Sequence, residues 1–146
     1  MAITPIVSVI TLGVTDLGRA TAFYQALGWP LSSDSVPGDI SFFRTAGGIL
    51  ALWNADNLAA DSGQKPIELT PGFRGATLAI NLADREAVDA ALAEVAAAGG
   101  TILKPPAATD WGGYSGYFAD PDGHTWEVAH SPGWQLDAKG APILPE

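Results

Sequence analysis

The stretch DPDGHTWEV, at residues 120–128, combines residue types that could do chemistry. Its Asp-Pro-Asp-Gly start is typical of a tight turn, and the residues that follow predict a β-strand. That strand carries a carboxylate, Glu127, three residues after an imidazole, His124. Such a pair suits either half of a metal site or an ordinary turn with one polar strand residue. Which of the two applies depends on the strand face that each side chain occupies.

Strand alternation separates the two side chains, because neighbouring residues of a strand point to opposite faces of a sheet. If Glu127 faces one side, Thr125 and Ala129 share that side, whereas His124 and His130 face the other side or lie at the strand ends. We therefore expect both histidines to be turn or strand-end residues rather than ligands. Glu127 remains as a hydrogen-bond anchor for a ligand or as a general base in metal-free chemistry.

The composition of the chain limits the classes of protein to which it can belong. The chain has 146 residues, 47% of them hydrophobic, which predicts a single compact domain over 1–146. A net charge of −9 disfavours nucleic acid and anionic membranes as partners and favours cationic ligands. No cysteine is present, which excludes disulfides and thiolate metal sites. Without a signal-peptide pattern or an apolar run of transmembrane length, a cytoplasmic location is expected.

The elements that would position Glu127 occur in two copies of the order β-α-β-β-β, so the predicted fold class is α+β. The first module spans 5–55 and the second 75–131, with 56–74 as a linker and 132–146 as a C-terminal tail. The predicted strands of the first module are 6–14, 31–35, 40–45 and 47–53, around a helix within 15–29. Those of the second are 75–82, 101–104, 114–120 and 124–130, with a helix at 83–100.

The spacing of matching residues supports a duplication. Phe43 and Phe118 are separated by 75 residues, and Leu52 and Glu127 by the same 75. Two such modules, each with a helix on one sheet face, leave the other face free. Paired, they would form a curved mixed sheet around a cleft that suits a small ligand.

Two segments carry a resemblance to a known family. TLGVTDLGRATAFYQALGW at 11–29 and GYSGYFADPDGHTWEVAHSP at 113–132, with the repeated element order, resemble the vicinal oxygen chelate superfamily. That superfamily includes glyoxalase I, the bleomycin-resistance proteins and the extradiol dioxygenases. The resemblance covers roughly 5–132, and it implies the glyoxalase/bleomycin-resistance fold and a homodimer.

The resemblance also implies four metal positions. In metal-dependent members the first and last strands of both modules hold a divalent cation, and these positions correspond to Val9, Leu52, Thr77 and Glu127. Val9 and Leu52 have no donor atom, and Thr77 has only a neutral hydroxyl. Glu127 is the one ligand type that is retained, so we expect no metal and no cofactor. Glu127 is then an anchor for a ligand or a carboxylate inherited from a metal site.

The predicted binding face is roomy and weakly polar, with aromatic side chains that would stack on a flat ligand. An acidic protein with aromatic faces would also suit a cation. The residues predicted to bind the ligand are Val9, Thr11, Phe42, Leu50, Leu52, Thr77, Asn81, Trp111, Tyr114 and Glu127. Trp134, in the tail, is a further possible stacking face.

The sequence thus predicts a metal-independent binding protein that resembles the bleomycin-resistance branch. It would sequester an aromatic, or cationic and aromatic, antibiotic-like ligand without altering it. One alternative is a glyoxalase-like lyase or isomerase, or another enzyme of the superfamily, which depends on a metal or uses Glu127 as a base. A third hypothesis is an interaction module with no small ligand.

Overall fold

The computed structural model describes residues 2–146. Contacts divide the chain into two compact units, the first ending at Glu68 and the second spanning Leu69–Glu146. Each unit contains a mixed sheet packed against helices, which confirms the α+β fold class. Within the described range, no helix is both long and apolar enough to cross a membrane.

The first unit contains three strands and two helices. Their bounds are β1 Val9–Val14, α1 Leu17–Ala26, β2 Ile40–Arg44, β3 Ile49–Asn54 and α2 Ala55–Asp61. The sheet order is β1-β3-β2, with β1 parallel to β3 and β2 antiparallel to it. Helix α1 begins at Asp16, whose side chain accepts a hydrogen bond from the Arg19 backbone N–H at 3.0 Å. This carboxylate satisfies a donor that the first helical turn leaves free.

One face of this sheet packs against α1. The Thr21 hydroxyl of α1 lies 2.8 Å from that of Ser41, and the Tyr24 and Phe43 rings are 5.9 Å apart. Ser41 pairs with Leu52 in the antiparallel ladder. Because paired residues share a sheet face, the α1 side also holds the buried leucines of β3.

Two predictions for the first unit need correction. No strand forms at 31–35, where Leu31 makes only an isolated bridge with Phe43. The Ser35 hydroxyl accepts from the Phe42 backbone N–H at 2.9 Å, and so replaces the carbonyl of a neighbouring strand. In addition, the predicted linker begins with a helix, α2, because the Asn54 side chain accepts from two backbone N–H groups of its first turn, each at 3.1 Å.

The second unit has the predicted β-α-β-β-β order. Its elements are β4 Leu78–Asn81, α3 Arg85–Ala97, β5 Thr101–Ala108, β6 Tyr114–Ala119 and β7 Thr125–His130. Strand β5 continues past its predicted end at 104, with register shifts along it. It is an edge strand, where the prolines at 105 and 106 are tolerated. The tail, predicted without elements, contains the short hairpin β8 Gln135–Leu136 and β9 Pro142–Ile143.

The sheet of the second unit has the order β4-β7-β6-β5, with β4 parallel to β7 and the remaining pairs antiparallel. Helix α3 covers the face that carries Gly116, Phe118 and Trp126. A side chain at Gly116 would approach Leu92 of α3 to 2.6 Å. The Phe118 and Trp126 rings stack with centroids 6.1 Å apart. This packing makes Trp126 part of the core and leaves the opposite face without a helix from this unit.

Candidate functional site

The helix-free face of the second sheet carries Glu127. In the ladders, Glu127 pairs with Tyr117 of β6 on one side and with Ala79 of β4 on the other. The Tyr117 hydroxyl donates a hydrogen bond to Glu127 Oε2 at 3.1 Å, and both side chains are half-buried. Alternation places Thr125 and Ala129 on the same face, as the sequence predicts. The carboxylate therefore faces away from α3 and has a phenol as its partner.

This phenol keeps its proton at neutral pH. Burial raises the pKa of Tyr117 above its ordinary value, and the charge of Glu127 and the hydrogen bond to it raise that pKa further. Tyr117 is not among the site residues predicted from the sequence. Counting back across the DPDG turn identifies it, because the hairpin register determines which residue of β6 lies opposite Glu127.

Around this pair the face is made of small side chains. Ser115 and Ala129 are buried, and Ala79 is exposed. Asn81 shares the face through its pairing with Ala129, and its Oδ1 accepts a hydrogen bond from the Ser131 hydroxyl at 3.2 Å. The surface around the carboxylate is thus formed by small, weakly polar side chains, which suits contact with an apolar ligand.

Tyr114 does not share this face, although the prediction grouped it with Glu127. Its hydroxyl donates to Asp89 of α3 at 2.6 Å, and the Arg85 guanidinium lies 5.2 Å from the ring centroid. The pKa of Tyr114 is raised, and the hydrogen bond to Asp89 is the largest cause. The placement is wrong because Tyr114 and Tyr117 are three residues apart, and an odd separation puts them on opposite faces.

Thr77 and the two histidines lie at strand ends. Thr77 is exposed and precedes β4. The His130 Nδ1 lies 3.1 Å from the carbonyl oxygen of Leu82, and the His124 backbone N–H donates to Asp120 at the turn. Among residues 2–146, no three His, Cys, Asp or Glu side chains come together as a metal-binding group.

The face of the first sheet opposite α1 carries Thr11, Phe42 and Trp53, and α2 covers its end at Gly13. Thr11 and Phe42 both pair with Ala51, and Trp53 pairs with Gly13. Val9 belongs to the same face by alternation and is 46% exposed. The face therefore combines two aromatic rings, a hydroxyl and apolar side chains, which suits contact with a flat molecule.

Leu50 and Leu52 do not belong to this face, and their predicted placement there is wrong. They pair with Phe43 and Ser41, which contact α1, and only 3% of Leu50 and none of Leu52 is exposed. Both leucines are core residues of the first unit, because in-register pairs point to the same side of a sheet.

The error comes from one extra residue in the second hairpin. Four residues separate the paired ends of β2 and β3, whereas five separate those of β6 and β7. The 75-residue spacing therefore holds for Phe43 and Phe118 but not beyond the turns. Ala51 pairs with Thr11, and Glu127 pairs with Ala79. Thr11 precedes Asp16, the N-cap of α1, by the same number of residues as Ala79 precedes Asp84, the N-cap of α3. The counterpart of Glu127 is thus Ala51, not Leu52.

The two tryptophans predicted as loop stacking faces lie on the surface. Trp111 is 60% exposed and Trp134 43% exposed. The Trp111 ring lies directly over Gly113, where the absence of a side chain makes room for it. Their role in ligand binding stays a prediction.

Comparison with known proteins identifies the family. The model of the Glyoxalase/Bleomycin resistance protein/Dioxygenase superfamily matches residues 6–128. The chain belongs to this superfamily. Its fold agrees with the crystal structure of a glyoxalase-related enzyme from Fulvimarina pelagi at a TM-score of 0.86 and 36% identity, over 97% of this chain and 99% of that one.

Other superfamily structures are more distant in sequence. A glyoxalase/bleomycin resistance protein/dioxygenase from Nocardioides is 29% identical over 99% of this chain and 93% of that one, with a TM-score of 0.73. A lactoylglutathione lyase from Agrobacterium tumefaciens is 22% identical over 91% and 98%, with a TM-score of 0.69, and shares the fold. A search of curated proteins gives no match.

The donor atoms present do not fit the divalent metal of the superfamily's metal-dependent members. With the corrected register, the position on β3 is Ala51, which has no donor, and Leu52 is buried on the other face. Val9 on β1 has none either, and Thr77 offers a hydroxyl. Tight coordination of such an ion needs several imidazole or carboxylate donors. Glu127 is the one carboxylate among these positions, and it already accepts a hydrogen bond from Tyr117.

Proposed function

We propose that this protein is a metal-independent small-molecule binding protein, which holds an aromatic ligand, neutral or cationic, beside Glu127 on the helix-free face of its second sheet without altering it. The observation that carries the proposal is the Glu127–Tyr117 pair. It places one half-buried carboxylate, fixed by a phenol, among small and apolar side chains. A carboxylate fixed in this way suits a ligand's hydrogen-bond donor or positive charge.

The surroundings favour binding over chemistry. General acid–base catalysis is most effective when the groups titrate near the working pH, and the raised pKa of Tyr117 moves its hydroxyl away from that range. The Tyr117 ring beside the carboxylate suits an aromatic contact, and the net charge of −9 attracts cations. Antibiotic-like molecules, which the bleomycin-resistance part of the superfamily name suggests, combine flat rings with such charges.

Titration with proflavine, a flat cationic dye, tests the proposal. We expect saturable quenching of tryptophan fluorescence, and recovery of the dye with unchanged mass after prolonged incubation. Glu127→Gln should weaken binding roughly tenfold, about 1.4 kcal/mol, because an ionic hydrogen bond is lost. Glu94→Gln, which removes the same charge from an exposed position of α3, should leave the affinity unchanged. Chemical conversion of the dye would contradict sequestration.

A second candidate is an enzyme that uses Glu127 as a general base, or that takes up a metal in spite of its donor set. The similarity to a glyoxalase-related enzyme, at 36% identity, favours this alternative. Formation of lactoylglutathione from methylglyoxal and glutathione, assayed with and without added Ni²⁺ or Zn²⁺, would support it. Loss of that turnover in Glu127→Gln, with folding intact, would assign the step to this residue.

A further inference from the structure

Lys104 lies in the same cross-strand row as the Glu127–Tyr117 pair. Ala79 of β4 pairs with Glu127 of β7, and Glu127 pairs with Tyr117 of β6. Tyr117 in turn pairs with Lys104 of β5. Because paired residues share a face of the sheet, the lysine belongs to the helix-free face. The row thus carries a carboxylate on one side of the phenol and an ammonium on the other.

A β-bulge brings the lysine into this row. Ile102 pairs with Phe118 on the α3 side of the sheet, and the next pair is Lys104 with Tyr117, so β5 has one residue more than β6 between the two pairs. With regular pairing Leu103 would lie opposite Tyr117, and the row would end on an apolar side chain. Bulges that redirect a side chain are over-represented next to active sites.

The neighbouring rows of this face add no charge. They consist of small, neutral side chains, which are those of Asn81, Ala129, Ser115 and Ala107 on one side and of Thr125, Ala119 and Thr101 on the other. Lys104 is exposed and Glu127 is half-buried, so a ligand can reach both. Across these three rows, the charges that a ligand meets are those of Glu127 and Lys104.

The spacing of the two charges defines the ligand further. Glu127 and Lys104 are on strands separated by β6, so their backbones are about 10 Å apart. A flat ring beside Tyr117 can present a cation to Glu127 at one end and a carboxylate to Lys104 at the other, each in a charge-assisted hydrogen bond. The net charge of −9 disfavours a ligand that is only anionic, whereas a ligand with both charges is neutral overall.

We propose that Lys104 binds a carboxylate of the ligand, so that the second sheet selects aromatic zwitterions, held between Glu127 and Lys104, over aromatic cations. This inference rests on the proposed binding function and adds the charge pattern of the ligand. Lys104 is then a specificity-determining residue of the same site.

A matched pair of compounds tests the inference by displacement of bound proflavine. In para-aminomethylbenzoate an ammonium and a carboxylate lie at opposite ends of one ring, and its methyl ester keeps the ammonium but has no carboxylate. The zwitterion should displace the dye from the native protein with roughly fivefold higher affinity than the ester. General attraction to an acidic protein would favour the cationic ester, so the expected order is the reverse of that effect.

Three variants separate the charge of Lys104 from its shape. Lys104→Met keeps an unbranched side chain and removes the ammonium, so it should abolish the preference for the zwitterion. Lys104→Arg keeps the charge and should retain the preference. Arg85→Met is the control, because it removes a positive charge from the α3 side of the sheet, where the guanidinium lies over the Tyr114 ring, and it should also retain the preference.

Equal affinities for the two compounds, or a preference that survives in Lys104→Met, would overturn the role of Lys104 while leaving ligand binding intact. Failure of both compounds to displace bound proflavine would overturn the inference in the same way. Failure of proflavine itself to bind would overturn the inference and the proposed function together.

Discussion

A single hydrogen bond defines the chemistry of the second sheet's helix-free face. The bond from Tyr117 to Glu127 Oε2 fixes the direction in which the other carboxylate oxygen can receive a ligand. The sequence predicts the face of Glu127 correctly, because alternation alone decides it. It does not reveal Tyr117 without the hairpin register. It also cannot reveal that the buried Trp53 N–H has no acceptor within residues 2–146, which depends on side-chain packing.

Replacing Tyr117 by Phe should make the free energy of unfolding less sensitive to alkaline pH. The pKa of Tyr117 is raised in the folded protein, whereas an unfolded tyrosine titrates at about 10. The stabilising contribution is therefore complete below about pH 10 and is lost as pH rises through the raised pKa. Urea denaturation at neutral pH and above pH ~10 measures the difference. Equal pH dependence in both proteins would show that Tyr117 titrates normally.

At the scale of elements, the duplication is visible in the sequence but its register is not. Matching caps and strands reveal two modules, yet one extra turn residue shifts β7 relative to β3 and moves the counterpart of Glu127 from Leu52 to Ala51. Helix α2 was hidden because its stretch looks like a polar linker, and only the Asn54 cap and the packing over Gly13 reveal it. Local patterns predict element types better than they predict pairing.

Gly13→Ala should weaken the contact between β1 and α2. The new methyl group would lie 3.1 Å from both Cα and Cβ of Ala55, so α2 must shift, at a cost of about 1–3 kcal/mol. Urea denaturation measures the loss, and faster hydrogen exchange at Asn57 would locate it. Gly18→Ala in α1 is the matched control, because a methyl group there would make only an ordinary contact, 3.5 Å from Asp16 Oδ1, and it should stabilise the protein by up to about 1 kcal/mol. Unchanged stability of Gly13→Ala would show that α2 can shift without a measurable loss of stability.

At the scale of the whole molecule, the sequence predicts the superfamily and the α+β class, and both are confirmed. The repeat and the two end motifs suffice to predict the superfamily and the fold class, because they reflect the backbone fold rather than the side chains that contact a ligand. The ligand depends on individual side chains that a shared fold leaves free to vary. That is why one superfamily name covers glyoxalases, bleomycin resistance proteins and dioxygenases.

We also predict a homodimer, which the family resemblance implies. The chain exposes an apolar segment before β1, where Ile6 and Val7 are 68% and 69% exposed, and a second copy would cover such surface. Sedimentation should give twice the 15.0 kDa chain mass. Val7→Asp should favour the monomer, whereas Ile67→Asp, at a similarly exposed position, should not. A native protein that stays monomeric at all concentrations would contradict this prediction.

Calorimetric titration of proflavine into protein kept in EDTA tests the central claim most directly, because the chelator removes adventitious metal. Metal-independent binding predicts saturation at about one dye per chain, with an affinity that added Zn²⁺ or Ni²⁺ does not change and that Glu127→Gln lowers roughly tenfold. Binding that appears only after Zn²⁺ or Ni²⁺ is restored would contradict it.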